Sequence, residues 1–188
     1  MYRSAYAGGP TLFTIGHSTR SAVELVVLLR EAKVDLLVDV RTIPRSRMNP
    51  QFNADVLPAT LAAAAIDYRH FPALGGLRHR PKGAPPSPNG LWRNEAFQAY
   101  ADYALTAPFR AALDELRGLA QDHVCAIMCA EAVWWRCHRR IVADYLLAGG
   151  ADVAHIMARG KIEPATLTPA AAPQPDGMIL YPGQLSLF

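Results

Sequence analysis

The stretch Cys129-Ala-Glu131-Ala-Val-Trp134-Trp135-Arg136-Cys137-His138-Arg139 gathers thiols, a carboxylate, an imidazole and guanidinium groups within eleven residues. It follows an apolar run expected as a strand and leads into a helical pattern. A helix start offers free backbone N–H groups and the positive end of the helix dipole. A cysteine there has a lowered pKa, so Cys129 or Cys137 is expected as a thiolate nucleophile. Glu131 and His138 are the matching acid–base candidates, and Arg136 or Arg139 would hold an anionic substrate. The alternative is structural, with a Glu131–Arg139 ion pair and cysteines packed as small apolar groups.

Zinc is the rival chemistry, since Cys129, Glu131, Cys137, His138 and His17 are all ligand types. The spacing C-x7-C-H lacks the paired C-x-x-C of structural zinc sites. Adjacent Cys137 and His138 would also diverge on a helix. No metal or other cofactor is therefore expected. A Cys125–Cys129 disulfide is excluded, because four residues along a strand span about 13 Å.

Other candidates lie elsewhere. His17-Ser18 follow an apolar run and precede a helix, where a phosphate contact or proton carrier fits. Asp39 and Arg41 share a face of an extended chain and can pair. His70 closes a further apolar run. Arg45 and Arg47 add charge, and Arg78, His79, Arg80, Lys82 and Arg93 form a second basic cluster. Such a rim attracts phosphate or a nucleic-acid backbone, or is merely solvated. Trp134 and Trp135 could stack on bases, though one of such a pair usually packs on the core.

These residues need elements to position them. Thr11–Ile15, Val34–Val40, Ile66–Phe71, Val124–Cys129 and Asp152–Met157 read as strands. Between the first two, Ser21 and Glu24 form a capping box ahead of Leu25, Leu28, Leu29 and Ala32 at helical spacing. Further helices are expected over Val56–Ala65, from Asn94, from Pro108, and over Arg136–Leu147 up to Gly149-Gly150. Phe71 to Trp92 is a Gly/Pro-rich loop. Alternating strands and helices predict an α/β fold, a mainly parallel sheet of about five strands with helices on both faces. Ligands in such sheets bind outside the carboxyl ends of the strands. His17-Ser18, Asp39-Arg41, His70 and Cys129-Glu131 all fall there.

Composition agrees with one α/β domain over residues 11–161. The 188 residues are 51% apolar and 19% charged, which excludes disorder throughout. Three cysteines within thirteen residues do not make a secreted disulfide framework. With neither a signal-like segment nor a long apolar run, a cytoplasmic location off the membrane is expected. Residues 162–188 hold five prolines and read as a flexible tail.

The motifs TIGHS (Thr14–Ser18), LVDVR (Leu37–Arg41), YRHFPALGG (Tyr68–Gly76) and CAEAVWWRCHR (Cys129–Arg139), followed by His155-Ile156, resemble the domain of unknown function 488 family. The resemblance spans about Thr11 to Lys161. It implies an α/β fold with these motifs grouped at one site, and implies no particular reaction. At the end of the chain, Gln184-Leu185-Ser186-Leu187-Phe188 resembles the pentapeptide by which bacterial replication and repair proteins hook onto the sliding clamp. Leu185, Leu187 and Phe188 would enter a pocket while Gln184 fixes orientation. The leading expectation is a clamp-tethered DNA-maintenance protein acting on nucleic acid or a nucleotide-like anion. A non-catalytic nucleic-acid adaptor and a thiol enzyme for a small anionic metabolite are the alternatives.

Overall fold

The computed structural model describes residues 11–183. The chain begins with β1 (Thr11–Gly16), α1 (Ala22–Glu31), β2 (Leu36–Asp39), α2 (Leu57–Ala62) and β3 (Asp67–His70). It continues through α3 (Glu95–Ala104), α4 (Ala107–Asp122), β4 (Cys125–Cys129), α5 (Arg139–Ala148) and β5 (Asp152–Ala158), ending in β6 (Lys161–Pro164), β7 (Ala172–Pro173) and β8 (Ile179–Leu180). The capping box forms as expected, with Ser21 Oγ accepting from the Glu24 N–H at 3.1 Å. Asn94 caps α3 by accepting from the N–H groups of Ala96 and Phe97.

The main sheet has six strands in the order β3-β2-β4-β1-β5-β6. The first five are parallel, and β6 joins the edge antiparallel to β5. Inward-facing residues alternate along each strand as the pleat requires. Leu12, Leu36, Val38, Ile127 and Cys129 belong to the core beneath α3, α4 and α5. Phe13, Ile15, Leu37, Ala126 and Met128 pack with Leu25, Leu28, Leu57 and Leu61 of α1 and α2 on the other face. This is a three-layer α/β fold. Among the described residues no helix is long and apolar enough to cross a membrane.

Strand order explains why a site forms. From β1 the chain crosses to β2, whereas from the adjacent β4 it crosses over β1 to β5. The two connections leave in opposite directions, so a crevice opens at the carboxyl ends of β1 and β4. That is a topological switch point.

Two expectations are corrected. The tail from 162 onward is not a tether throughout: β6 pairs with β5, and Ile179 and Tyr181 are fully buried in the core. The Ala165 N–H donates to the Val153 carbonyl at 2.8 Å, and the Tyr181 hydroxyl donates to Asp144 at 2.8 Å. Proline-rich composition hid a few well-spaced anchors. The helix expected from Arg136 starts instead at Arg139, after a 3₁₀ turn over Trp134–Arg136. Cys137 between them is extended (φ −128°, ψ 146°). The clamp-like residues Gln184, Leu185, Leu187 and Phe188 lie outside the described residues.

Candidate functional site

Arg41 organises the floor of the switch point. Its Nε and Nη2 donate to the fully buried Asp39, and Nη2 also donates to the Phe52 carbonyl at 2.6 Å. Asp39 further accepts from the Tyr68 hydroxyl at 2.8 Å. The remaining Nη1 donates to His17 Nε2 at 3.3 Å, while His17 Nδ1 donates to the Ser18 carbonyl at 2.9 Å. Burial lowers the His17 pKa below its ordinary value, with the Arg41 charge adding to the effect. His17 is thus a neutral imidazole stacked on Phe52, with ring centroids 4.2 Å apart. His70 donates from Nε2 to the Arg41 carbonyl at 2.8 Å. Asp39, Arg41 and His70 therefore hold one another and shape the strand ends.

Beside this floor sits the thiol centre. Cys129 ends β4, and its Sγ lies 2.8 Å from Cys137 Sγ. Both are free thiols, 2% and 3% exposed. Arg139, 1% exposed, folds back from the first turn of α5 so that Nη1 donates to Cys129 Sγ at 2.5 Å. The same guanidinium donates to the carbonyls of Glu131 (2.6 Å) and Ala132 (3.0 Å). Arg139 thus pairs with the Glu131 main chain, not with its carboxylate, which is exposed. Among the described residues no carboxylate forms an ion pair with Arg139.

A buried guanidinium needs a counter-charge. The Cys129 sulfur is the group positioned to supply it. Burial opposes ionisation of Cys129, but the Cys137 thiol and the Arg139 charge outweigh it and bring the pKa down to about 7. Burial and the neighbouring Cys129 push the Cys137 thiol up, so of the two sulfurs Cys129 is the one that gives up its proton more readily.

His138 completes the centre. Its Nε2 donates to the Val40 carbonyl at 3.1 Å, which leaves Nδ1 as an acceptor 3.5 Å from Cys137 Sγ. Burial lowers its pKa to about 4. The expected divergence of Cys137 and His138 does not occur, because Cys137 is extended and stands outside the helix. Among the described residues no group of three or more His, Cys, Asp and Glu side chains is arranged to hold a metal ion.

These groups face a cavity of about 320 Å³, whose walls include Arg41, Cys129, Glu131, Arg136, Cys137 and His138. Leu77 of the loop and Phe97 and Tyr100 of α3 also line it, with the Tyr100 ring 5.0 Å from that of His138. The spacing of Phe97 and Tyr100 marks a core-facing stripe, and nothing in it separates core from cavity wall. A second hollow of about 270 Å³ shares Arg41, Ile43 and Ala130 with the first. It is lined by His17, Ser18, Thr19, Arg45, Ser46 and Asn49. Arg139 is spent on the thiol and loop carbonyls instead of facing the cavity, whereas the exposed Arg136 does face it.

The basic loop is largely self-satisfied. Arg78 donates to the carbonyls of Gly75 and Pro72 and lies over the Tyr103 ring at 3.8 Å, and Arg80 pairs with Asp102 at 2.7 Å. Of the tryptophans, Trp134 stacks on His155 (4.5 Å, 12°), while Trp135 is 46% exposed.

A family profile described as "Domain of unknown function DUF488" matches residues 21–146, about two thirds of the chain. The chain belongs to the DUF488 family. The matched span is shorter than the motifs suggest: it holds Asp39, Arg41, His70 and the whole Cys129–Arg139 stretch, and leaves out His17 and His155. Neither a curated protein nor a solved structure matches the chain. Within the DUF488 span, two thiols and a neutral imidazole meet at one cavity with the buried Arg139 guanidinium behind them, an arrangement suited to nucleophilic chemistry by sulfur.

Proposed function

We propose that this DUF488 protein is a thiol-dependent enzyme of DNA maintenance, acting on nucleic acid or a nucleotide-like anion and tethered to the sliding clamp by Gln184, Leu185, Leu187 and Phe188. The observation that carries the catalytic part is the Cys129 sulfur, hydrogen-bonded by a buried arginine without a carboxylate partner, at the wall of an open cavity. A sulfur held as thiolate forms a bond to an electrophilic atom of the ligand, and the displaced group leaves with the electron pair.

The cavity supports the ligand class. Phe97, Tyr100 and Leu77 offer an apolar wall for a flat heterocycle, and Arg136 offers charge for a phosphoryl group. The adjoining hollow, with Arg45 and the hydroxyls of Ser18, Thr19 and Ser46, has the chemistry of a second phosphate position. Exposed Trp135 is free to stack on a base.

Two binding measurements test the reading. Affinity for a short single-stranded oligonucleotide should fall steeply as salt is raised, and Arg136→Ala should weaken it several-fold; a flat salt response removes nucleic acid as the ligand. A purified sliding clamp should bind the full chain and not the chain truncated after Gly183. Equal affinity for both removes the tether.

A further inference from the structure

We infer that Cys129 and Cys137 form an oxidisable pair, a modification site at which a hydroperoxide converts two thiols into a disulfide. The inference rests on Cys129 as the thiolate of the proposed site, and adds to it a reversible loss of that thiolate.

The two sulfurs lie 2.8 Å apart, and a disulfide bond is about 2.05 Å long. Closing it needs an approach of less than about one ångström. The partners are mechanically unequal in a useful way. Cys129 is fixed at the end of a central strand, hydrogen-bonded on both sides in the sheet. Cys137 stands in the extended link between a 3₁₀ turn and α5, where the backbone is not bound into a repeating ladder. The moving partner is therefore Cys137.

The reaction divides between the two sulfurs. The Cys129 thiolate attacks one peroxide oxygen, an S–O bond forms, and the O–O bond breaks. The departing oxide takes up a proton as water or alcohol, leaving Cys129 as a sulfenic acid. Cys137 then attacks the Cys129 sulfur, an S–S bond forms, and the hydroxyl leaves with a proton as water. His138 Nδ1, with its ring's other N–H committed to the Val40 carbonyl, lies 3.5 Å from Cys137 Sγ and can accept a hydrogen bond from the thiol while the proton passes to the departing hydroxyl. Overall, two thiols are oxidised to one disulfide and the hydroperoxide is reduced.

Both sulfurs line the cavity, so a small peroxide reaches them without unfolding the protein. Cys125 is an internal control. It lies on the same strand, is fully buried, does not line the cavity, and is pushed up to about 12 by burial. Oxidation removes the negative charge beside Arg139 together with the nucleophile, so the site is switched off until a reductant restores it.

The test uses the full-length reduced protein with hydrogen peroxide, quenched by alkylation and read by intact mass and peptide mapping. Two of the three thiols should vanish together, the peptides carrying Cys129 and Cys137 should be joined within one chain, and dithiothreitol should reverse it. Cys125 should remain alkylatable. In Cys137→Ser, Cys129 should take up oxygen without forming the bridge; in Cys129→Ser, Cys137 should oxidise at least roughly tenfold more slowly. A disulfide-free product, or oxidation of Cys125 as fast as the pair, overturns the inference in the wild-type protein alone. Alkylation without peroxide separates the failures. Rapid labelling of Cys129 with no bridge sinks the pair but leaves the thiolate standing, whereas slow labelling sinks the thiolate reading itself.

Discussion

At the scale of single residues, the site turns on one charge. Arg139 is buried with main-chain carbonyls and a sulfur as its partners, so Cys129 has two physical reasons to ionise: a nearby cation and a neighbouring thiol donor. Lowering a thiol pKa from the ordinary 9.0 to about 7 raises the thiolate fraction near neutrality about fifty-fold. The same shift lowers intrinsic nucleophilicity by about tenfold, leaving a net gain of roughly fivefold. The guanidinium and the Cys137 thiol share that gain, so Arg139→Met should slow iodoacetamide labelling of Cys129 several-fold near neutral pH. It should also move the midpoint of the pH–rate profile upward from about 7. Arg139→Lys, which keeps the charge but loses the planar fork, should restore part of the low midpoint. An unchanged midpoint in Arg139→Met would show that the guanidinium only braces the loop carbonyls of Glu131 and Ala132.

At the scale of elements, two glycines set how closely the loop after β4 approaches its neighbours. A Cβ at Gly16 would lie 1.7 Å from the Glu131 carbonyl oxygen and 2.9 Å from Arg139 Nη1. A Cβ at Gly76 would lie 2.4 Å from His138 Nδ1. Gly16→Ala must push rigid backbone aside and should cost on the order of 1–3 kcal/mol, read as a lower Tm with loss of selective Cys129 labelling. Gly118→Ala, in mid-α4 with open space around it, should instead stabilise by about 0.5–1 kcal/mol. If both variants melt alike, the close approach at Gly16 is not what holds the loop. The strands and the capped α1 were legible in the sequence because hydrophobic period and cap chemistry are local. The switch-point rule also placed His17, Asp39, Arg41 and Cys129 at one edge. What stayed hidden was non-local or conformational. The Phe52 ring and carbonyl arrive from a loop between β2 and α2, and Arg139 turns back from α5 onto the strand before it. The extended conformation of Cys137, which turns a helical neighbour pair into a facing one, leaves no mark in residue spacing.

At the scale of the whole molecule, the same economy recurs: buried polar side chains tie distant segments together through defined partners. The segment after β6 is the clearest case, since Asp144 accepts from the Thr168 N–H and the Tyr181 hydroxyl and ties a proline-rich strap to α5. Composition averages over such anchors, which is why the strap reads as a tail. Three histidines, two of them buried and one half-buried, carry the consequence for pH. His17, His138 and His155 all have pKa values lowered by burial, the last two to about 4 and about 3. Above the ordinary histidine value of 6.5 they are neutral in both folded and unfolded chains, and contribute no pH dependence. Below it the unfolded chain takes up protons that the folded chain refuses, so stability falls as pH falls, on the order of 1 kcal/mol per pH unit for each histidine. The fall from His138 ends near pH 4, where the folded ring also protonates. Asp144, raised by its burial, works in the opposite direction as one group against three. Urea unfolding at successive pH values should therefore show midpoints falling steadily from about 6.5 towards 4. Since His138 donates to the Val40 carbonyl and accepts at Nδ1, His138→Gln can keep a donor there while removing the titration, and should flatten the slope. A midpoint that holds level over that range in the unmodified protein would mean that the folded imidazoles take up protons at the ordinary histidine value, so that burial is not what sets their charge.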